Sequence, residues 1–122
     1  IKALEINNDS SEAHNNLANL FSYLNNPEAE YHYKKTIELN PNEIYPRLNM
    51  SNYFIKNNKF DESLKYLQEM IELGLESKEV YNSLGVSYKG LNDDDSALKM
   101  FQKSLNLDPG FALAQKNLDS LK

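Results

Sequence analysis

The chain repeats itself. Leu17, Met50, Leu84 and Leu118 stand 33, 34 and 34 residues apart. Their neighbours keep the same register: Ala18, Ser51 and Gly85; Phe21, Phe54 and Tyr88; Ala29, Ser63 and Ala97; Tyr33, Leu67 and Phe101; Ile37, Ile71 and Leu105. A unit this short cannot bury a core alone, so a fixed period implies units stacked on one another. The unit over residues 78–109 shows what each one is. Apolar and small residues recur at steps of three and four on either side of a short Asn/Asp turn, which is the pattern of two helices packed on one face each.

Two helices cross closely only where neither carries a bulky side chain. The pairs Ala18/Ala29, Ser51/Ser63 and Gly85/Ala97 supply that contact three times, with large residues beside it: Phe21, Phe54 and Tyr88 from the first helices, Tyr33, Leu67 and Phe101 from the second. Ridges-into-grooves packing then sets the crossing angle. A helix–turn–helix unit of about 34 residues with this pattern resembles the tetratricopeptide repeat family. The resemblance covers nearly the whole chain. It implies an all-α fold, a right-handed superhelical α-solenoid of antiparallel helix–turn–helix repeats. The expected division is one domain over residues 1–122. Residues 1–9 end a preceding repeat, 10–43, 44–77 and 78–111 are repeats one to three, and 112–122 form a C-terminal capping helix.

Along the chain, residues 1–7 read as the tail of a second helix whose first helix is missing, as if the sequence began mid-repeat. Pro27 suits the first position of the second helix in repeat one, where an absent N–H is harmless. Asn25, Asn58 and Asn92 share one turn position and suit the left-handed conformation that ends a helix. Gly74 stands in place of the usual closing proline and should cap the helix before it. In residues 112–122, Ala114, Leu118 and Leu121 form an apolar face. Asp119 and Lys122 replace the small and aromatic residues of a continuing repeat, as a closing helix facing water requires.

Composition excludes several roles. The net charge is −5 and Arg47 is the sole arginine, so the clustered guanidinium and ammonium groups that nucleic-acid binding needs are missing. With no cysteine there is neither a disulfide nor a thiolate ligand. No apolar run reaches membrane-spanning length. The compartment stays open, with the cytoplasm as the expectation. His14 and His32 are not at ligand spacing from each other or from a carboxylate pair, and read as packing or surface residues. Asp93-Asp94-Asp95 lacks the alternating ligands of a calcium loop and reads as carboxylates at a helix N-terminus. Asn8-Asp9-Ser10 and Asn49-Met50-Ser51 match the glycosylation pattern, but the second lies in a helix with Met50 and Ser51 turned inward. No phosphate loop, nucleophile motif or acid/base pair is present. No enzyme, metal or cofactor is expected.

In the family, the first helices line a concave groove that holds a peptide. Carrying its contact positions over residue by residue implies a groove of Asn15, Asn16, Asn19, Tyr23, Tyr45, Leu48, Asn49, Asn52, Ile55, Lys56, Asn82, Ser83, Val86, Lys89 and Asn117. Asn16, Asn49, Ser83 and Asn117 form one periodic row. Asn19 and Asn52 begin a second. A side-chain amide carries both donors and an acceptor, so such rows could hold an extended backbone, in the manner of the O-linked N-acetylglucosamine transferase repeat domain. With 17 asparagines in the chain, abundance alone could produce them. Tyr23, Tyr45, Leu48 and Ile55 read as apolar anchors. The carboxylate clamp for chaperone C-termini is matched only at Asn19 and Asn49. Asn15, Glu79 and Ser83 stand where it has basic residues, so an acidic tail is expected to bind weakly. The partner expected is a protein or peptide, neither nucleic acid nor membrane. The leading role is a non-catalytic interaction scaffold binding an extended peptide or partner helix. The alternatives are a substrate-recruiting or regulatory arm of a larger enzyme, glycosyltransferase-like for example, and a self-assembly module stacking through the repeat edge at residues 1–7.

Overall fold

The structure is a computed structural model and describes residues 11–122. The expected helix tail at residues 1–7, the first glycosylation pattern and the edge invoked for self-assembly lie outside the described residues. Within them the chain forms seven helices and no strand. These are α1 (Ser11–Tyr23), α2 (Glu28–Leu39), α3 (Ile44–Lys56), α4 (Phe60–Glu72), α5 (Lys78–Gly90), α6 (Asp94–Leu107) and α7 (Ala112–Asp119). Consecutive helices pack as antiparallel hairpins. The first helices α1, α3, α5 and α7 also touch in succession, whereas α2, α4 and α6 make no comparable contact with one another. The first helices therefore form the inner layer of a stacked α-solenoid.

The turns carry much of the order. Asn25, Asn58 and Asn92 hold φ of 56, 61 and 65°, and Gly74 holds 78°. At each, the same pair of backbone bonds closes the helix. Asn26 N–H reaches Phe21 C=O at 2.7 Å, Lys59 reaches Phe54 at 2.8 Å, Leu75 reaches Met70 at 2.9 Å and Asp93 reaches Tyr88 at 2.9 Å. This is the double closure of a left-handed C-terminal cap, which satisfies carbonyls the helix leaves open. Asparagine adopts this conformation at some strain and glycine at none. Asn92→Gly should therefore raise stability by about 0.5–1 kcal/mol and Asn92→Ala lower it by about 1 kcal/mol, read by urea unfolding. Equal midpoints for all three would remove the conformational argument.

Helix starts follow the same economy of donors. Asn26 Oδ1 accepts from Glu28 N–H at 3.0 Å with Pro27 between them, so Pro27 takes the position where its missing N–H is harmless. Ser77 Oγ accepts from Val80 N–H and Asp93 Oδ1 from Ser96 N–H, both at 3.2 Å. The hydrogen bonds from Ser96 hold the Asp93 carboxyl below its ordinary range, as a capping carboxylate at a helix N-terminus should be. The acidic triplet is thus a helix start.

The core is a seam along the stack. Ala18, Ala29, Ser51, Ser63 and Ala97 are all 0 % exposed, which places the small pairs at the helix crossings. A β-carbon on Gly85 would lie 2.4 Å from the Phe101 ring. Tyr33, Met50 and Phe54 pack in the first cluster, Leu67, Met70, Val80 and Leu84 in the second, and Ala97, Phe101 and Leu118 in the third. Buried hydroxyls find partners: Ser63 Oγ meets Ser87 Oγ at 2.7 Å and Ser104 Oγ donates to Lys78 C=O at 2.8 Å. Arg47 is only 6 % exposed; its Nε donates to Pro41 C=O at 2.9 Å and its Nη1 to Glu69 at 2.8 Å, strapping α3 to α4.

The two histidines meet. His14 Nδ1 lies 2.8 Å from His32 Nδ1 with the rings stacked, and Phe21 stacks on the other ring. Their spacing along the chain gave no hint of this. A hydrogen bond between two Nδ1 atoms requires at least one of them unprotonated, so it cannot persist with both rings charged. Burial first, and then His14, hold His32 below the ordinary imidazole value. A lowered imidazole favours folding while neutral. That contribution is present above about pH 6.5 and is lost as pH falls through the lowered value. The wild type should lose melting temperature between about pH 7 and pH 5, and His32→Phe should lose less over that interval. Parallel curves for the two proteins would rule the pair out as the cause.

Candidate functional site

The inner face carries a hollow of ≈ 350 Å³ spanning α3, α5 and the start of α7. Leu48, Asn52, Ile55 and Lys56 line it from α3, Glu79, Asn82, Ser83 and Val86 from α5, and Phe111 and Leu113 from the last turn and α7. The spacing explains why these meet. Residues 48, 52 and 55, and 79, 82, 83 and 86, each fall on one helix face at steps of three and four, and α3 lies against α5.

Side chains behind the wall fix its far edge. Lys78 Nζ donates to Asp108 Oδ2 at 2.6 Å and lies 4.8 Å above the Phe111 ring. The hydrogen bond between them raises the Lys78 ammonium and lowers the Asp108 carboxyl from their ordinary values. Gly110 N–H also donates to Asp108 Oδ1 at 3.1 Å. The α6–α7 turn is thus pinned to the first residue of α5, and Phe111 is held at the rim.

Seven of the residues implied by the resemblance come together here: Leu48, Asn52, Ile55, Lys56, Asn82, Ser83 and Val86. Leu48 is 4 % exposed, so it is floor and core at once. The others do not line this hollow. Tyr23 and Tyr45 stand outside it, 80 % and 65 % exposed. Asn16, Asn49 and Lys89 also lie beyond it, and Asn15 turns its Oδ1 into the protein. Asn19 Oδ1 instead accepts from Tyr33 OH at 2.8 Å. Glu79, Phe111 and Leu113 complete the lining. Leu113 had a signal in the sequence, since it falls one period after Glu79 and two after Tyr45.

The polar rows bond across neighbouring helices. Ser83 Oγ donates to Asn52 Oδ1 at 2.8 Å, and Asn117 Nδ2 donates to Asn82 Oδ1 at 2.9 Å. Lys56 Nζ donates to Ser22 C=O at 2.6 Å and Lys89 Nζ to Ser120 Oγ at 2.8 Å. Asparagine along this face therefore ties α3, α5 and α7 together, and Lys56 ties α3 to α1. Another hollow, ≈ 450 Å³, lies on the outer side between α4 and α6 with Tyr81, Leu84 and Tyr88 as its floor. There the Tyr81 phenol donates to Glu76, which with burial pushes it up to about 12. Among the described residues, no three His, Asp or Glu side chains converge as a metal site and no helix is long and apolar enough to cross a membrane.

Known proteins share this architecture. A family model for the tetratricopeptide repeat matches residues 78–111. Hsp70-Hsp90 organizing protein 3 of Arabidopsis thaliana is 30% identical over 83 residues, covering 68% of this chain and 15% of that protein. This chain therefore spans a small part of that relative. The pilF protein of Pseudomonas aeruginosa superposes with a TM-score of 0.88 at 24% identity, over 98% of this chain and 55% of that one. The second tetratricopeptide domain of human RPAP3, solved with the HSP70 peptide SGPTIEEVD, gives 0.82 at 20% identity over 91% and 93% of the two chains. At those identities the two structures establish the fold alone. With the period, the small-residue crossings and the inner layer of first helices all in place, the chain belongs to the tetratricopeptide repeat family.

Proposed function

We propose that the chain is a protein–protein interaction scaffold that receives a segment of a partner in the groove across α3, α5 and α7. This reading divides the chain into repeats at residues 10–43, 44–77 and 78–111, with a further helix within residues 112–122. The carrying observation is the convergence of Leu48, Ile55, Val86, Phe111 and Leu113 on one inner hollow bordered by polar side chains. An apolar floor with a few directed polar groups is the usual make-up of a recognition site. The structural relative solved with a peptide supports the reading at the level of fold. No catalytic role is proposed.

Two exposed lining residues test it. Asn52→Arg with Leu113→Asp should abolish capture of groove partners, a loss of at least about tenfold in affinity, or ~1.4 kcal/mol. Leu107→Asp is the control, since Leu107 is 57 % exposed and does not line the groove. Circular dichroism confirms that each variant is helical. Partners held equally by all three proteins would move the site to another face.

A further inference from the structure

The outer hollow between α4 and α6 has a counterpart one period earlier, in the cleft between α2 and α4, and that counterpart is filled. There the Tyr66 ring stacks on Phe54, with centroids 5.7 Å apart and an interplanar angle of 18°. Ile37 and Met50 pack in the same cluster. Arg47 closes the space beside them through its bonds to Pro41 and Glu69.

One period on, the floor is kept and the filling is not. Tyr88 stands for Phe54, Leu84 for Met50 and Ile71 for Ile37. Met100, however, stands for Tyr66, Tyr81 for Arg47 and Lys103 for Glu69. The thioether puts a thin, flexible chain where the first cleft has a ring. The ion pair that closed the first cleft is also gone. The Tyr81 phenol turns to Glu76, and the Lys103 ammonium rests 5.5 Å from the centroid of the Tyr81 ring. What remains is the hollow of ≈ 450 Å³, with Ile71 and Met100 on its walls. Gln68 Nε2 donates to the Tyr88 phenol oxygen at 3.1 Å and so fixes that ring. Ile71, Tyr88 and Met100 are each half-buried, and part of each still faces solvent. Glu72 and Lys103 line the two walls with opposite charge, so shape and the apolar floor select the occupant rather than net charge. A flat group laid on a ring gains from stacking beyond the area it buries.

We infer that this outer hollow is a docking site separate from the inner groove, and that it takes an aromatic side chain of a partner protein. The incoming ring stacks on Tyr88 between Ile71 and Met100, as Tyr66 stacks on Phe54.

Two pools of short acetylated, amidated peptides test this. They are identical except at the central residue, which is Phe, Tyr or Trp in one pool and Leu in the other. Each is titrated into the chain with isotope-labelled Met and Ile methyl groups. Met100→Tyr and Ile71→Val assign the two signals by their loss. The expected result is a saturable shift of both methyl signals by the aromatic pool, at a concentration at least about threefold lower than the leucine pool requires. Met100→Tyr supplies the ring from within. It should unfold at a higher urea midpoint than the wild type and leave the Ile71 signal unmoved by either pool. Asn52→Arg/Leu113→Asp should respond as the wild type does, which separates this site from the inner groove. An equal response to both pools, no saturable shift, or an Ile71 shift that survives in Met100→Tyr overturns the inference. A lowered midpoint for Met100→Tyr, or loss of the shifts in Asn52→Arg/Leu113→Asp, overturns it as well. None of these outcomes depends on the inner groove having a partner.

Discussion

Phe101→Ala is expected to lower the unfolding free energy by about 3–5 kcal/mol. The ring is 0 % exposed and lies where α6 crosses α5, with Ala97 and Leu118 in the same cluster. No small residue nearby can collapse into the space, because Gly85 has no side chain to move. The pair is complementary in the other direction too. A methyl at Gly85 would sit 2.4 Å from the ring edge. Alanine is ordinarily preferred to glycine inside a helix by roughly 0.5–1 kcal/mol. Here the overlap outweighs that gain, and Gly85→Ala should destabilise by about 1–3 kcal/mol. In a Phe101→Leu background the same substitution should be much milder, because the offending edge is gone. A double-mutant cycle in urea reads the difference as a coupling energy. Additive effects would mean that the ring and the glycine do not define the crossing.

Arg47→Ala carries the second large effect, about 2 kcal/mol of lost stability. Arg47 joins the loop at Pro41 to Glu69 on α4 by two charge-assisted bonds at 2.9 and 2.8 Å. Its own side chain is 7 % exposed while that of Glu69 is 45 % exposed. Water can therefore recover the carboxylate in the variant, which keeps the loss below that of a fully buried pair. The arginine stem also fills space that alanine would leave open. Arg47→Lys should recover little, since an ammonium cannot reproduce the forked geometry that addresses both partners. Glu69→Gln should cost under about 1 kcal/mol. If Arg47→Ala unfolds at the wild-type midpoint, the strap carries no weight in the fold.

Much of the architecture was legible because it is periodic. Ala18, Ala29, Ser51, Ser63, Gly85 and Ala97 announce the crossings by their size, and size acts locally in each unit. Asn25, Asn58 and Asn92 announce the helix ends because few other residues accept a positive φ. What the period missed is what happens once. His14 and His32 stack although nothing in the other units corresponds to the pair. Arg47, read from composition as a scarce cation, is a buried strap. The asparagine rows were legible as rows. That their oxygens bond to the neighbouring helix depends on how far apart the first helices lie, which no spacing along the chain records.

The sequence by itself determined the helices, their ends, the pairing of each hairpin and the membership of the repeat family. Each of these follows from contacts within one unit of the period, where side-chain size and backbone preference decide the outcome. The tertiary structure alone decided which inner-face residues form one hollow. Leu48, Ile55, Val86 and Leu113 converge there, while Tyr23 and Tyr45 stand apart. Those facts depend on how one unit is set against the next, and that geometry is fixed by packing between residues that lie a full period apart.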